Sequence, residues 1–128
     1  MNVKVTEGIR VSVQTRFDPE RSKPNSEFFW FSYKIRIKNL SHQDVQLLRR
    51  HWFIYDSFLL SQEVEGEGVI GETPIIKPGE SHEYVSHCNL YTDMGCMEGT
   101  YLMQWANSGD FFFVDIPKFE LTAPFRRN

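Results

Sequence analysis

Three glycines have the spacing that most suggests chemistry in this chain. Gly66, Gly68 and Gly71 form a G-x-G-x-x-G pattern, which often wraps around the pyrophosphate of a dinucleotide. In that motif a strand precedes the glycines, and a helix beginning at the third glycine points its amides at the phosphate. Here Pro74 and Pro78 follow, and Pro78 would lie inside such a helix at a cost of about 3 kcal/mol or more. The sequence therefore excludes a Rossmann-type dinucleotide site.

A glycine loop between strands remains, and two interpretations of it stay open. Exposed loop amides can bind an anion without a helix, and Arg50 would add a bidentate phosphate ligand if the fold brought it close. In that hypothesis the ligand-binding residues are Gly66, Gly68, Gly71 and Arg50, and the ligand is an anion with a phosphate group. Alternatively, the glycines permit a bulge or a chain reversal at a sheet edge, and Arg50 lies along its strand, stacked on Trp52.

Glutamates around the loop raise the question of a cation. Glu63, Glu65 and Glu67 alternate along the chain, so on a strand they share one face, and carboxylate oxygens suit hard divalent cations. A bound Mg²⁺ or Ca²⁺ held by these carboxylates, among them Glu65 and Glu67, would also bridge a phosphate to this acidic segment. The alternative is a solvated acidic edge that keeps the sheet soluble.

A second group of possible metal ligands has spacing that fits no familiar site. His82, His87, Cys88 and Cys96 match neither a Cys-x-x-Cys nor a His-x-x-x-His pattern. On an alternating strand Cys88 falls on the side opposite His87, which favours a core thiol and surface histidines. The two cysteines are expected to be free thiols and not a structural disulfide.

Motifs for catalysis are missing from the sequence. It contains no G-x-S-x-G elbow, no His-Glu-x-x-His and no local nucleophile and base pair with a recognisable third member. We therefore expect a non-enzymatic protein; the remaining alternative is an enzyme that acts on a nucleotide polyphosphate with a site assembled from residues far apart in sequence.

The elements that must position these residues are strands, because apolar residues recur with period two. The pattern is clear in GIRVSVQTRF, FFWFSYKIRIKNL, SHEYVSHC, MEGTYLMQW and FFFVDIPKFEL. Turn residues separate the segments, as in KPGE and ANSGD. About seven to nine short strands without a convincing helix predict an all-β fold, an antiparallel β-sandwich or barrel.

Two intervening segments need separate treatment. VQLLRRHWFIYDSFLLSQEV shows no apolar stripe at helical spacing, so it is predicted to form two strands around a bend near Asp56 and Ser57. The polar, proline-containing DPERSKPNSE is predicted to be a loop.

Aromatic residues are more numerous than one sheet face can bury. In FFWF and FFFV, adjacent side chains point to opposite faces, so burial of Phe29, Phe31 and Phe112 leaves others outside. We expect an interaction surface for a protein partner or a homo-oligomer from the four outward residues, which are Phe28, Trp30, Phe111 and Phe113.

Length, composition and charge bound the class of protein. A chain of 128 residues suits a single domain, residues 1–128, and no apolar run reaches the roughly 20 residues of a membrane span, so membrane insertion is not expected. The N-terminal residues do not resemble a secretory signal, which favours the cytoplasm. Residues 1–50 hold ten Lys and Arg against five Asp and Glu, and residues 51–128 hold four against twelve. A sandwich interleaves distant segments, so we expect the two charges partly to average out, and nucleic-acid binding is not expected.

Several ordered segments together resemble one family. VQLLRRHWFIYD, VEGEGVIGETPIIKPGESHEYVSHC, MGCMEGTYLMQ and FFFVDIPKFELTAP are similar to the corresponding segments of bacterial ApaG proteins. The resemblance implies a fibronectin type III-like sandwich, an association with cobalt resistance and magnesium efflux, and pyrophosphate binding at the loop of Gly66, Gly68 and Gly71. In eukaryotic relatives the domain looks like a protein-interaction module, which is the alternative function here.

Overall fold

The computed structural model describes residues 1–124, which form nine strands and one short 3-10 turn. Because that turn is the only helical element in this range, residues 1–124 contain no helix that is long and apolar enough to cross a membrane. The strands are β1 Asn2–Thr6, β2 Ile9–Lys23, β3 Phe28–Asn39, β4 Val45–Asp56, β5 Leu59–Glu67, β6 Ile75–Ile76, β7 Ser81–Leu90, β8 Met94–Trp105 and β9 Phe111–Thr122.

The strands form two antiparallel sheets that pack face to face. One sheet has the order β1-β2-β3-β7, and the other has the order β5-β4-β8-β9, with β6 paired to β4. Alternate residues of each strand point inward and are buried, for example Val11 on β2, Ile35 on β3, Tyr101 on β8 and Leu121 on β9. The predicted β-sandwich is confirmed, and its period-two pattern is the direct cause of the single core between the sheets.

The predicted bend in the segment after residue 44 is confirmed. β4 ends at Asp56 and β5 begins at Leu59, and Ser57 between them has a φ of 51°. The Asp56 carboxylate accepts hydrogen bonds from the amides of Tyr91 and Thr92, at 2.8 and 3.0 Å, and so ties this hairpin to the turn between β7 and β8. A buried carboxylate with such partners fixes the end of the sandwich.

The prediction that DPERSKPNSE is a loop is wrong in its first half. β2 continues to Lys23, and only then does the 3-10 turn Pro24–Ser26 follow. The register with β3 shifts between Asp18 and Lys23, so the extension is irregular. Ser22 replaces part of the missing ladder, because its hydroxyl donates to the Asp18 carbonyl at 2.6 Å and accepts from the Trp30 amide at 2.9 Å. Local side-chain hydrogen bonds of this kind are hard to foresee from periodicity.

Charges separate between the two outer faces of the sandwich, unlike the expectation that they would average out. On the regular part of the first sheet the outward residues of β2, β3 and β7 include five cations and two carboxylates; they are Arg10, Arg16, Lys34, Arg36, Lys38, Asp18 and Glu83. The outward residues of the second sheet include six carboxylates and two cations; they are Glu63, Glu65, Glu67, Glu98, Asp115, Glu120, Arg49 and Lys118. We call these the basic face and the acidic face. The separation arises because β2 and β3, which are rich in cations, lie next to each other in one sheet.

Candidate functional site: a cleft beside the glycine hairpin

The glycine loop is a tight hairpin that begins where β5 ends. The Val69 amide donates to the Glu72 carbonyl at 2.8 Å, and the Glu72 amide donates to the Val69 carbonyl at 3.0 Å. Ile70 and Gly71 between them have φ values of 48° and 73°, which is the signature of a type I′ turn. The Gly68 amide donates to the Leu48 carbonyl at 2.8 Å. The hairpin therefore uses most of its own amides, and those of Ile70 and Gly71 are the ones at its tip.

The first two glycines of the motif are needed for close approach. A Cβ atom on Gly66 would lie 3.0 and 3.1 Å from the Nη1 and Nη2 atoms of Arg50, which crosses over this residue. A Cβ atom on Gly68 would lie 2.2 Å from the Glu72 carbonyl oxygen, and the φ of Gly68 is 65°. The spacing of the motif thus has an architectural explanation: passage of an arginine, closure of a hairpin, and a turn.

Arg50 reaches the glycine hairpin, as the ligand-binding hypothesis requires. It lies opposite Gly66 in the ladder between β4 and β5, and its Nη1 donates to the carbonyls of Glu67 and Gly68, both at 3.0 Å. The hydrogen bonds of this guanidinium to residues 1–124 use Nη1, which leaves N–H groups on Nη2 and Nε for another acceptor. The hairpin carbonyls therefore hold the Arg50 side chain in one orientation.

Beside this arginine, a cleft of about 520 Å³ opens between the edge strands β5 and β7. The hairpin tip borders it, and the side-chain amide of Gln62 donates to the Asn89 carbonyl at 3.1 Å and links the two sheets across the opening. Its walls include the rings of Trp30, Trp52 and Tyr84, and its polar lining includes Arg50, Gln62, Ser86 and Asn89. A concave site with aromatic walls and a few fixed polar groups is the usual form of a small-molecule site.

Buried phenols form part of the floor beneath Arg50. The hydroxyls of Tyr84 and Tyr101 are hydrogen-bonded to each other, and Tyr33 lines the cleft nearby. Burial raises the pKa of all three phenols above the ordinary value of 10.0. These groups are therefore neutral at physiological pH and act as hydrogen-bonding groups, and the fixed positive charge beside them comes from Arg50.

The thiol that lines the cleft is a poor nucleophile. Cys88 is buried, and burial, followed by the negative charge of Asp56, raises the pKa of its thiol to about 12. A thiol reacts as its thiolate, which is scarce at neutral pH in this environment. Cys88 and Cys96 are both free, which confirms the expected absence of a disulfide between them, and Cys88 belongs to the core, as predicted.

The proposed cation ligands lie on the opposite side of the β4–β5 hairpin. Glu65 is grouped with His51 and Glu63, whose ligand atoms all lie within 4.8 Å of one another. The His51 Nε2 atom is 2.8 Å from a Glu63 carboxylate oxygen, so an exposed pair already occupies part of this group. Glu67 lies opposite Arg49 in the same ladder, on the same side of β5 as Glu65, and it also borders the cleft. Both glutamates remain proposals as metal ligands, and the close group of ligand atoms includes Glu65 and not Glu67.

The four outward aromatic residues fall into two pairs on different sheets. Phe28 and Trp30 lie on β3, where their rings stack at 5.8 Å between centroids, and the ring of Trp30 stacks on His87 at 5.6 Å. Phe111 and Phe113 lie on β9 and are 62% and 65% exposed. The fold therefore does not bring the four together, and each pair is a separate candidate contact.

Sequence reasoning identified Arg50 and the glycines but left out most of the cleft. Tyr84 and Ser86 line it from β7, and Gln62 lines it from β5. The sequence contained a signal for Tyr84 and Ser86, because the inward residues of β7 alternate with outward residues such as His87. What the sequence lacked was the pairing that makes β5 and β7 the two open edges on the same side of the sandwich.

Fold and site together define a two-sheet β-sandwich with an aromatic-walled cleft at its open edge. Comparison with related sequences identifies the family. A family model described as the ApaG domain matches residues 19–105. A Protein ApaG from Afipia carboxidovorans is 47% identical over 120 residues, which cover 94% of this chain and 92% of that protein. A Protein ApaG from Beijerinckia indica is 43% identical over 123 residues, which cover 96% and 94%.

A solved structure agrees with the sequence matches. The crystal structure of a Bordetella pertussis protein, described under the name ApaA, is 42% identical and superimposes with a TM-score of 0.87. The alignment covers 91% of this chain and 94% of that one. This protein belongs to the ApaG family, as its sequence motifs predicted.

Proposed function

We propose that this protein is a non-enzymatic binding protein whose cleft takes a small molecule with a phosphate or pyrophosphate group, such as a nucleotide. One observation supports it above all: a guanidinium held by two backbone carbonyls at the edge of an aromatic cleft. In this proposal Arg50 binds the anion through Nη2 and Nε. Ile70 and Gly71 at the hairpin tip line the same cleft, and their amides donate to the same anion.

Orientation of the arginine favours binding over a purely structural role. An arginine fixed by its neighbours loses little side-chain entropy when it binds an anion, and paired N–H groups match two phosphate oxygens. The two carbonyls also hold the guanidinium over Gly66, where a larger residue would displace it. The glycines thus contribute to anion binding by placing Arg50.

Aromatic walls indicate what accompanies the anionic group. Trp30, Trp52 and Tyr84 offer ring surfaces, and Gln62 and Ser86 offer hydrogen bonds. A planar heterocycle such as a nucleotide base suits this lining, and a volume of about 520 Å³ is within the usual range for small-molecule sites. Inorganic pyrophosphate would use the arginine and leave the aromatic walls to water.

A divalent cation fits the proposal as a bridge. Glu67 lines the same cleft as Arg50, and its carboxylate would repel a phosphate unless a Mg²⁺ or Co²⁺ ion lay between them. Glu65, the second proposed ligand, lies two residues away on the same side of β5, opposite His51. The link to cobalt resistance and magnesium efflux is a prediction from the family resemblance and would act through such a complex.

Calorimetric titration of the purified protein with pyrophosphate and with ATP, each with Mg²⁺ and with EDTA, tests the proposal. Wild-type protein should bind at least one of these, and Arg50→Gln should weaken binding at least tenfold. Arg49→Gln is the matched control, because Arg49 is the neighbouring arginine on the exposed outer side of the same strand. Equal loss in both variants, or no binding by folded wild-type protein in any condition, would overturn the proposal.

A protein-interaction module is the second candidate function, and the exposure of Phe111 and Phe113 favours it. Two large apolar rings on one face, next to the half-buried Leu102, are unusual without a partner. In this candidate the glycines are architecture only. Replacement of Phe113 by Ser should then abolish a defined oligomer or complex, whereas the replacement of Trp30, on the other sheet, should not; unchanged assembly after Phe113→Ser would rule it out.

A further inference from the structure

The basic face carries a regular row of cations along the middle of its sheet. Lys34, Arg36 and Lys38 alternate on β3 and all point outward, which places successive charges about 7 Å apart. Two depressions border this row; Lys34 and Gln14 line both of them, Arg10 and Arg36 line one, and Arg16 lines the other. We call Lys34, Arg36 and Lys38 the basic row.

An ion pair within the molecule shows how the basic row binds a carboxylate. Glu83, on the neighbouring strand β7, lies 3.6 Å from the Lys34 ammonium and 3.4 Å from the Arg36 guanidinium, so one carboxylate is shared by two cations. Lys38, Arg10 and Arg16 form no ion pair within residues 1–124. The face therefore retains an excess of positive charge after its internal pairs are satisfied.

The acidic face offers a row of the same length and spacing. Glu63, Glu65 and Glu67 alternate on β5 and are all exposed, and β5 is the edge strand of its sheet. Successive carboxylates are again about 7 Å apart. We call them the acidic row. An edge strand has a neighbour on one side only, so it can approach the flat face of another sheet.

We propose that the basic row of one molecule binds the acidic row of a second copy of this chain. The two rows match in number, spacing and opposite charge, and they lie on opposite sheets of the sandwich, so the two rows of one molecule cannot contact each other. The contact is heterologous: each molecule uses a different surface from its partner, and a third copy can join at either end. Glu67 belongs to both the acidic row and the cleft lining, so Glu63 and Glu65 are the members of the row that test the contact apart from the cleft.

The size of the contact predicts its strength. The three alternating residues of a row span about 14 Å along the strand, and four strands span about 19 Å across the sheet. The area of a contact with these dimensions is well below the roughly 800 Å² per partner of a stable interface. The association should therefore be weak, and it should depend on salt, because raising the ionic strength from about 20 mM to about 0.5 M shortens the screening length several-fold. We expect the association constant to fall at least about tenfold over that range.

Sedimentation equilibrium at high protein concentration and low salt measures this association. Wild-type protein should form dimers and larger species. Neutralisation of the basic row, Arg36→Gln with Lys38→Gln, should leave a monomer, and so should neutralisation of the acidic row, Glu63→Gln with Glu65→Gln. Arg21→Gln and Glu27→Gln remove charges of the same two signs away from both rows and should associate like wild type.

Mixing the two row variants gives the decisive result. The basic-row variant keeps its acidic row and the acidic-row variant keeps its basic row, so an equimolar mixture should form a heterodimer that stops at two molecules. A wild-type protein that stays monomeric at low salt would overturn the proposal, even if the basic face bound polyglutamate, an oligonucleotide or anionic vesicles. So would wild-type association in either row variant, or a mixture of folded variants that remains monomeric.

Discussion

The two sides of the β4–β5 hairpin contain similar residue types and differ in how firmly the structure holds them. On the inner side Arg50 is bound by two carbonyls, and Trp52 is 3% exposed, between Tyr33 and Phe119. On the outer side Arg49 is exposed, and His51 and Phe53 lie against each other at the surface. Residue type alone therefore does not distinguish the two sides of the hairpin. They differ in how firmly neighbouring groups hold each side chain, and the firmly held side chains lie beside the cleft.

Removal of the aromatic rings should show the largest difference between the two sides. Trp52→Ala removes a buried ring that contacts Tyr33 and Phe119, and it should lower the free energy of unfolding by about 3–5 kcal/mol. Phe53→Ala on the outer side should cost less than about 1.5 kcal/mol. Urea denaturation measures both. Equal losses would mean that the inner side is no better packed than the outer one.

Two glycines of the hairpin should differ next. Gly68→Ala places a Cβ atom 2.2 Å from the Glu72 carbonyl oxygen at a positive φ, so we expect a loss of about 2–4 kcal/mol. Gly71→Ala meets no atom within 4 Å and keeps only the strain of its φ, about 1 kcal/mol. Chemical denaturation of the two variants checks the order. If Gly71→Ala were the more harmful, the turn and not the hairpin base would be the constraint.

Arginine substitutions should give a smaller but still unequal effect. Arg50→Gln removes charged donors to two carbonyls, and we expect a loss of about 1.5–3 kcal/mol. Arg49→Gln should change stability by less than about 0.5 kcal/mol, because its side chain is exposed. The same denaturation experiment applies, and a stability loss for Arg49→Gln as large as that for Arg50→Gln would contradict the distinction.

Alkaline pH should change stability least, because it acts through two buried groups on β7 that face the inner side of the hairpin across the cleft. Burial raises the pKa of Cys88 and of Tyr84, whose ordinary values are 9.0 and 10.0, so the folded state keeps protons that the unfolded chain releases. Their contribution to stability is complete below about pH 9 and falls as the pH rises above it. Tyr84→Phe should flatten this fall, measured by denaturation between about pH 8 and 11.

Much of the fold could be predicted from the sequence because the period-two pattern directly encodes which face of a strand is buried. It placed Phe29 and Phe31 in the core and turned the chain near Ser57. It failed at the β2 extension, where the Ser22 side chain replaces ladder hydrogen bonds, and at the charge distribution, which depends on strand order.

The candidate site was only half predictable. Arg50 could be proposed beside the glycines because a missing positive charge was evident in that acidic segment. The register that sets Arg50 opposite Gly66, and the edge positions of β5 and β7, are long-range properties that spacing does not contain. The cleft residues Tyr84 and Gln62 were accordingly missed.

The central claim is that an anion binds beside Arg50 in the cleft and not at the basic face. Titration of isotope-labelled protein with pyrophosphate, followed by amide and arginine Nε chemical shifts, tests it most directly. We expect the largest chemical-shift changes at the Arg50 side chain and at the amides of Ile70 and Gly71. Shifts concentrated at Lys34, Arg36 and Lys38 on β3, or no shifts at the cleft, would contradict it.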